Sequence, residues 1–158
     1  MATFGTFTSA VLTAAELNTA GGAWTTYTPT YTNFTLGNGT VNYAKYEQVG
    51  RMVTVRLKIT FGSTTSVTAT QPTFSLPATG AITSGDISGI GIVYDSSAGA
   101  QYAAIPAFPS TTTITPYICT ASATYLTMGA MTTTTPVVMA TGDAFLLWFS
   151  YEAAADGT

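Results

Sequence analysis

Met52-Val53-Thr54-Val55-Arg56-Leu57-Lys58-Ile59-Thr60 is the stretch that decides the fold class of this chain. Val53, Val55, Leu57 and Ile59 recur at every second position, and Thr54, Arg56, Lys58 and Thr60 fill the places between. Successive side chains of an extended strand leave opposite faces, so this order gives one face to a core and the other to water. The preceding Val49-Gly50-Arg51 reads as a turn into that strand.

Upstream the same period of two appears from Trp24 onward, where Thr26, Thr28, Thr30 and Thr32 are set against Tyr27, Pro29 and Tyr31. Pro29 has no N–H to give to a ladder, which points to a sheet edge. Gly37-Asn38-Gly39 lies between Phe34-Thr35-Leu36 and Thr40-Val41-Asn42-Tyr43 and predicts a hairpin turning at Asn38-Gly39. Downstream, β-type runs follow at Pro72 to Leu76, Ile87 to Tyr94, Gln101 to Ile105, Thr111 to Cys119, Tyr125 to Met128, Pro136 to Met139 and Ala144 to Tyr151. Gly, Pro, Asp and Ser separate them. Many short strands with regular turns predict a sandwich, jelly roll or small barrel.

Ala144 to Tyr151 is apolar on both faces, with Leu146 and Trp148 on one and Phe145, Leu147, Phe149 and Tyr151 on the other. Such a strand at an open edge invites aggregation, so it belongs in the middle of a sheet with both faces covered. A second layer of the same chain or another subunit can supply that cover. Phe145, Leu147, Phe149 and Tyr151 are therefore candidates for an oligomer interface.

Before Ala23 the pattern differs, and residues 1–22 read as an arm ahead of a β-sandwich domain over 23–158. Thr13 and Glu16 have the spacing of a capping box, Leu12 and Leu17 that of a hydrophobic staple, and Gly21 or Gly22 ends the short helix they predict. A helix of about two turns is not stable alone, so it must dock on the domain or on a neighbour. Phe4, Phe7, Leu12 and Leu17 are the side chains with which the arm would grip.

Only 7% of the 158 residues are charged, against about a quarter in an ordinary globular protein. A surface polar through Thr rather than through ions does little to keep copies apart, which points to an assembly. Four basic residues and a net charge of −3 leave almost nothing with which to neutralise phosphates, so no nucleic-acid partner is expected. Phe145 to Phe149, the longest strongly apolar run, is far short of the roughly 20 residues of a membrane helix, so no membrane insertion is expected. The N-terminus lacks the basic and apolar parts of a secretory signal, and the expectation is a protein made and used without Sec export, or one that leaves by lysis.

There is no histidine, which removes the usual base of Ser-His-Asp and Cys-His hydrolases. Cys119 is alone, ruling out an internal disulfide or a cysteine zinc site. Glu16, Glu47, Asp86, Asp95, Asp143, Glu152 and Asp156 form no catalytic or calcium motif, and Asp86, Asp95 and Asp143 sit in turn-like contexts. The expectation is no enzyme, no cofactor and no metal. Lys45, Arg51, Arg56 and Lys58 fall in one short region, either as a patch for an acidic partner or as a solvated face that keeps a strand from mispairing. Tyr94 and Tyr102 are loop candidates for stacking on a sugar, against the commoner use of tyrosine in packing.

Ala23-Trp24-Thr25-Thr26-Tyr27-Thr28-Pro29-Thr30, Leu36-Gly37-Asn38-Gly39-Thr40, and Tyr46 with Val49-Gly50-Arg51-Met52-Val53-Thr54-Val55 together resemble a β-rich module of bacteriophage tail and minor virion structural proteins. Phe74-Ser75-Leu76-Pro77, Thr141-Gly142-Asp143 and Tyr151-Glu152-Ala153 are similar to that module too, and Val11 to Asn18 resembles the short segment at the start of such tail proteins. The resemblance implies an antiparallel jelly-roll-like sandwich, usually a homotrimer, carried on the virion beside other phage proteins and sometimes contacting a host cell-surface glycan. It implies a tail-associated structural protein, assembled in the host cytoplasm and released by lysis. The alternative is a capsid decoration protein anchored by its N-terminal arm.

Overall fold

The computed structural model describes residues 22–122 and 124–156. They form twelve strands: β1 (Thr25–Thr26), β2 (Tyr31–Thr32), β3 (Phe34–Thr35), β4 (Thr40–Val49), β5 (Met52–Thr60), β6 (Ser66–Val67), β7 (Thr73–Ser75), β8 (Ile90–Asp95), β9 (Ala100–Ser110), β10 (Thr113–Ser122), β11 (Tyr125–Ala130) and β12 (Ala144–Glu152). Among the described residues there is no helix, and every strand pair is antiparallel. The chain is all-β.

The deciding stretch does what its alternation requires. Val53, Val55, Leu57 and Ile59 are fully buried on β5, while Thr54, Arg56, Lys58 and Thr60 stay partly exposed on the other face. Val49 and Met52 close the β4–β5 hairpin around Gly50-Arg51. Gly50 has φ +56°, the left-handed conformation that a two-residue hairpin loop needs at its first position.

Ten strands form one sheet in the order β1-β4-β5-β12-β8-β9-β10-β7-β2, with β11 added to β10. The two ends of that order, β1 and β2, are joined by residues 27–30 alone. Five Cα steps reach at most roughly 17 Å, so the sheet must curl until its edges nearly meet. Tyr27 N donates to Ala44 O on β4 (3.0 Å), and at the far end Ser75 N donates to Thr30 O (3.0 Å). Pro29 is buried midway between the edges, with Tyr27 and Tyr31 packed on the core and the alternating threonines outside. The expected edge strand is thus a strap from one edge to the other.

Inside the curl, Phe34, Phe61, Phe74 and Phe145 pack at ring separations of 5.0–5.9 Å, several of them edge to face. A second aromatic group, Phe108, Phe149 and Tyr151, continues the core along β12. As expected, β12 is central, lying between β5 and β8. Phe145, Leu147, Phe149 and Tyr151 are between 0% and 4% exposed, however, because the curl turns that face inward. They are consumed by the chain's own core and are not open to another subunit. The opposite face of β12 is the open one.

Two further expectations shift. The turn after Leu36 is centred on Gly37-Asn38, where Gly37 has φ +54° and Gly39 N donates to Leu36 O (2.8 Å). It does not make a hairpin, since β3 pairs with β6 and β4 with β5. The reason is Asn38, whose Oδ1 accepts from Thr64 N (2.9 Å) and whose Nδ2 donates to Ser63 Oγ (2.9 Å), fastening the turn to the loop after β5. Residues 136–139 form no strand and run as an irregular segment up to β12. The expected arm helix, with Phe4, Phe7, Leu12 and Leu17, lies outside the described residues.

Candidate functional site

Because the strands alternate, the residues left over by the core form their own surface on the outside of the curl. Registration puts Lys45, Arg56, Trp148 and Ile90 in one row across β4, β5, β12 and β8. The next row is Tyr43, Lys58, Leu146 and Ile92. Trp24 flanks the patch just before β1, with the Lys45 ammonium 5.2 Å from its ring centroid.

Aromatic rings and cations alternate across this face. Lys45 Nζ lies between Trp24 and Tyr43, 6.0 Å from the latter, and the Arg56 guanidinium lies 5.3 Å from Tyr43 and 5.0 Å from Trp148. Each such contact is worth about 0.5–1 kcal/mol at an exposed site. Beyond Trp148 the patch becomes apolar, with a shallow groove lined by Ile90, Ile92, Leu146 and the backbone at Gly91. Trp148 is 53% exposed and Ile90 60%.

Of the four cations singled out in the sequence, the fold brings three together, Lys45, Arg56 and Lys58. Arg51 is not one of them. It sits at the β4–β5 turn, pairs with Glu152 at 2.9 Å and donates from Nε to Ala153 O (2.8 Å), tying the end of β12 to the hairpin. Both partners are about half exposed, so the ion pair itself adds little stability. Trp148 and Leu146 are the second apolar face that the sequence marked on Ala144 to Tyr151, whereas Trp24, Tyr43, Ile90 and Ile92 complete the patch without standing out in the sequence. Their shared face follows from strand registration, which only the assembled sheet supplies.

The carboxylates of the turns are occupied by backbone. Asp95 accepts from Ser97 Oγ (2.7 Å), Ser97 N (3.0 Å) and Ala98 N (3.0 Å), and these hydrogen bonds, the Ser97 hydroxyl first, hold its carboxyl below the usual range. Asp143 accepts from Ser96 N (2.8 Å) and Ala140 N (2.7 Å), and Asp86 from Thr83 N (2.8 Å). Among the described residues no three of Cys, Asp or Glu are grouped so as to hold a metal ion. No described helix is long and apolar enough to cross a membrane. Tyr94 and Tyr102 lie within β8 and β9, not in loops, and Tyr102 packs against the core.

A second exposed apolar feature is the β10–β11 ribbon, whose outer strand carries Tyr125, Leu126 and Met128 at 77%, 69% and 48% exposure. No protein family, curated protein or solved structure matches this chain.

Proposed function

We propose that this chain is a structural component of a bacteriophage particle, surface-displayed and tail-associated, whose curled sheet is a jelly-roll-like sandwich assembled as a homotrimer. Its partners are then copies of itself and other virion proteins, with a host cell-surface glycan as a further candidate ligand, and it acts by binding, without catalysis. The observation that carries the reading is the uncovered outer face, where Trp148, Ile90, Leu146 and Ile92 form one patch on a domain that has almost no charge to keep neighbours away. The likeness of the turn and strand segments to phage tail modules supplies the particle. Immunogold labelling of virions tests both parts. Label at the tail end is the expected result, uniform label over the head transfers the protein to capsid decoration, and unlabelled virions overturn the reading.

A further inference from the structure

Beyond Ile118 the β10–β11 pair leaves the rest of the sheet. β9 follows β10 only as far as the Ile118–Ala104 pair, and among the described residues no strand lies on the far edge of β11. What projects is a two-stranded ribbon, four residue pairs long, from Cys119–Met128 to Ser122–Tyr125. Opposed residues share a face, so Cys119, Met128, Ala121 and Leu126 make one apolar side. Thr120 and Thr127 turn the other way, their hydroxyls 3.0 Å apart. A lone two-stranded ribbon is marginal in water, so its apolar side needs cover. Among the described residues nothing supplies it, since Leu126 is 69% exposed and Met128 48%. Ser96 to Gly142 contains no Asp, Glu, Lys or Arg, so the ribbon also lacks the charges that guard an exposed strand against association.

The outer face is the matching half. Its groove is lined by Trp148, Ile90, Ile92 and Leu146, and two of the cations beside it already lie against rings, Lys45 against Trp24 and Tyr43, Arg56 against Tyr43 and Trp148. An occupant therefore need bring no carboxylate. Two outer faces stacked on each other would gather Lys45, Arg56 and Lys58 from both copies, with only Glu47 in the next row to offset them. Desolvating ions so poorly paired is costly. The ribbon brings apolar surface without charge, and it cannot serve its own chain, where Leu126 and Ile90 are both exposed at once. We infer that the β10–β11 ribbon of one copy docks on the outer sheet face of the next, with Leu126 and Met128 over the groove between Trp148 and Ile90. This rests on the proposal that the outer face is covered in an assembly of copies, and it names what covers it. Donor and acceptor are different surfaces of one chain, so the contact is heterologous and closes three copies into a ring.

Two full-length chains, each with Cys119→Ala, test the contact when mixed under mild oxidation, one carrying Leu126→Cys and the other Ile90→Cys. Both positions are exposed, so neither substitution touches the core. The expected result is a disulfide between the two different chains in several-fold excess over its statistical share, and closed three-chain rings from a chain that carries both cysteines. Mixed and like pairs in random proportion overturn the proposal. So does an excess of Ile90→Cys joined to its own kind, which means that outer faces meet each other, and so does a doubly substituted chain that closes on itself as a monomer. Leu126→Lys gives a second reading, because it sets a charge of the patch's own sign on the ribbon. Single chains with an unchanged far-ultraviolet circular dichroism spectrum are expected, and an intact assembly contradicts the docking. A trimer that lacks the cross-link removes the ribbon and leaves the assembly standing, whereas single chains at every concentration remove both.

Discussion

Arg56 and Trp148 are direct partners across the β5–β12 register, with the guanidinium carbon 5.0 Å from the centre of the indole. The contact lies on the solvent side of a strand pair whose other side is wholly core, so its strength is separable from burial. In a double-mutant cycle with Arg56→Ala and Trp148→Ala, urea unfolding should give a coupling of about 0.5–1 kcal/mol. Strictly additive losses would mean that the ladder is only a crowding of long side chains.

The two faces of β12 should respond very differently to truncation. Phe145 is fully buried among Phe34, Phe61 and Phe74, and Phe145→Ala should cost about 3–5 kcal/mol. Trp148→Ala, on the open face, should cost under about 1 kcal/mol in the isolated domain fold. Equal losses in denaturant titrations would contradict the assignment of inner and outer faces.

Tyr151 fastens the loop after β7 to the central strand, its hydroxyl donating to Ala78 O (2.7 Å) and accepting from Ala78 N (3.2 Å). Tyr151→Phe leaves those backbone groups short of a partner and should cost about 1–3 kcal/mol. Burial pushes this phenol up to about 12, although the hydrogen bond with Ala78 acts in the opposite direction. The folded state then keeps a proton that the unfolded state releases from its ordinary value of 10.0, so stability is intact below that value and falls as the pH rises toward 12. Stability measured from neutral to strongly alkaline pH should decline less steeply in Tyr151→Phe. Tyr27 and Tyr31, both raised by their own burial, contribute to the slope that remains.

Asp95 has the opposite sign. Its carboxyl is held below the ordinary value by Ser97 and Ala98, so its contribution is present above the unfolded-state value and is lost as the pH falls through the lower folded one. Asp95→Asn should therefore flatten the acid limb of the stability curve while changing little at alkaline pH. An acid limb identical to that of the unaltered chain would show that the Ser97–Ala98 turn does not prefer the ionised form.

How much of this was legible in the residues depends on whether the cause is local. Alternation on Met52 to Thr60 needs only the strand period, and it predicts the buried face of β5 residue by residue. The turn at Gly50 is equally local. Gly37-Asn38-Gly39 misleads because Asn38 spends its side chain on Ser63 and Thr64, a contact between segments far apart in sequence. On Ala144 to Tyr151 both faces are apolar, so the sequence marks a strand that needs cover on two sides without saying which side the core takes. Curling decides that, and curling follows from the strap of residues 27–30 between the sheet's two ends. The Trp24–Lys45–Tyr43–Arg56–Trp148 ladder is beyond local reading altogether, since its members come from four segments brought together by register.

The central claim is that the outer face is covered by other copies, and Trp148 reports on it directly. With Trp24→Phe in the full-length chain, Trp148 is the sole indole. Light scattering together with acrylamide quenching, followed across a dilution series, should show the mass of three chains with a shielded Trp148 that becomes exposed only as the assembly dissociates. A mass of one chain at every concentration, with Trp148 quenched as freely as its half-exposed place on the single domain implies, would contradict the account.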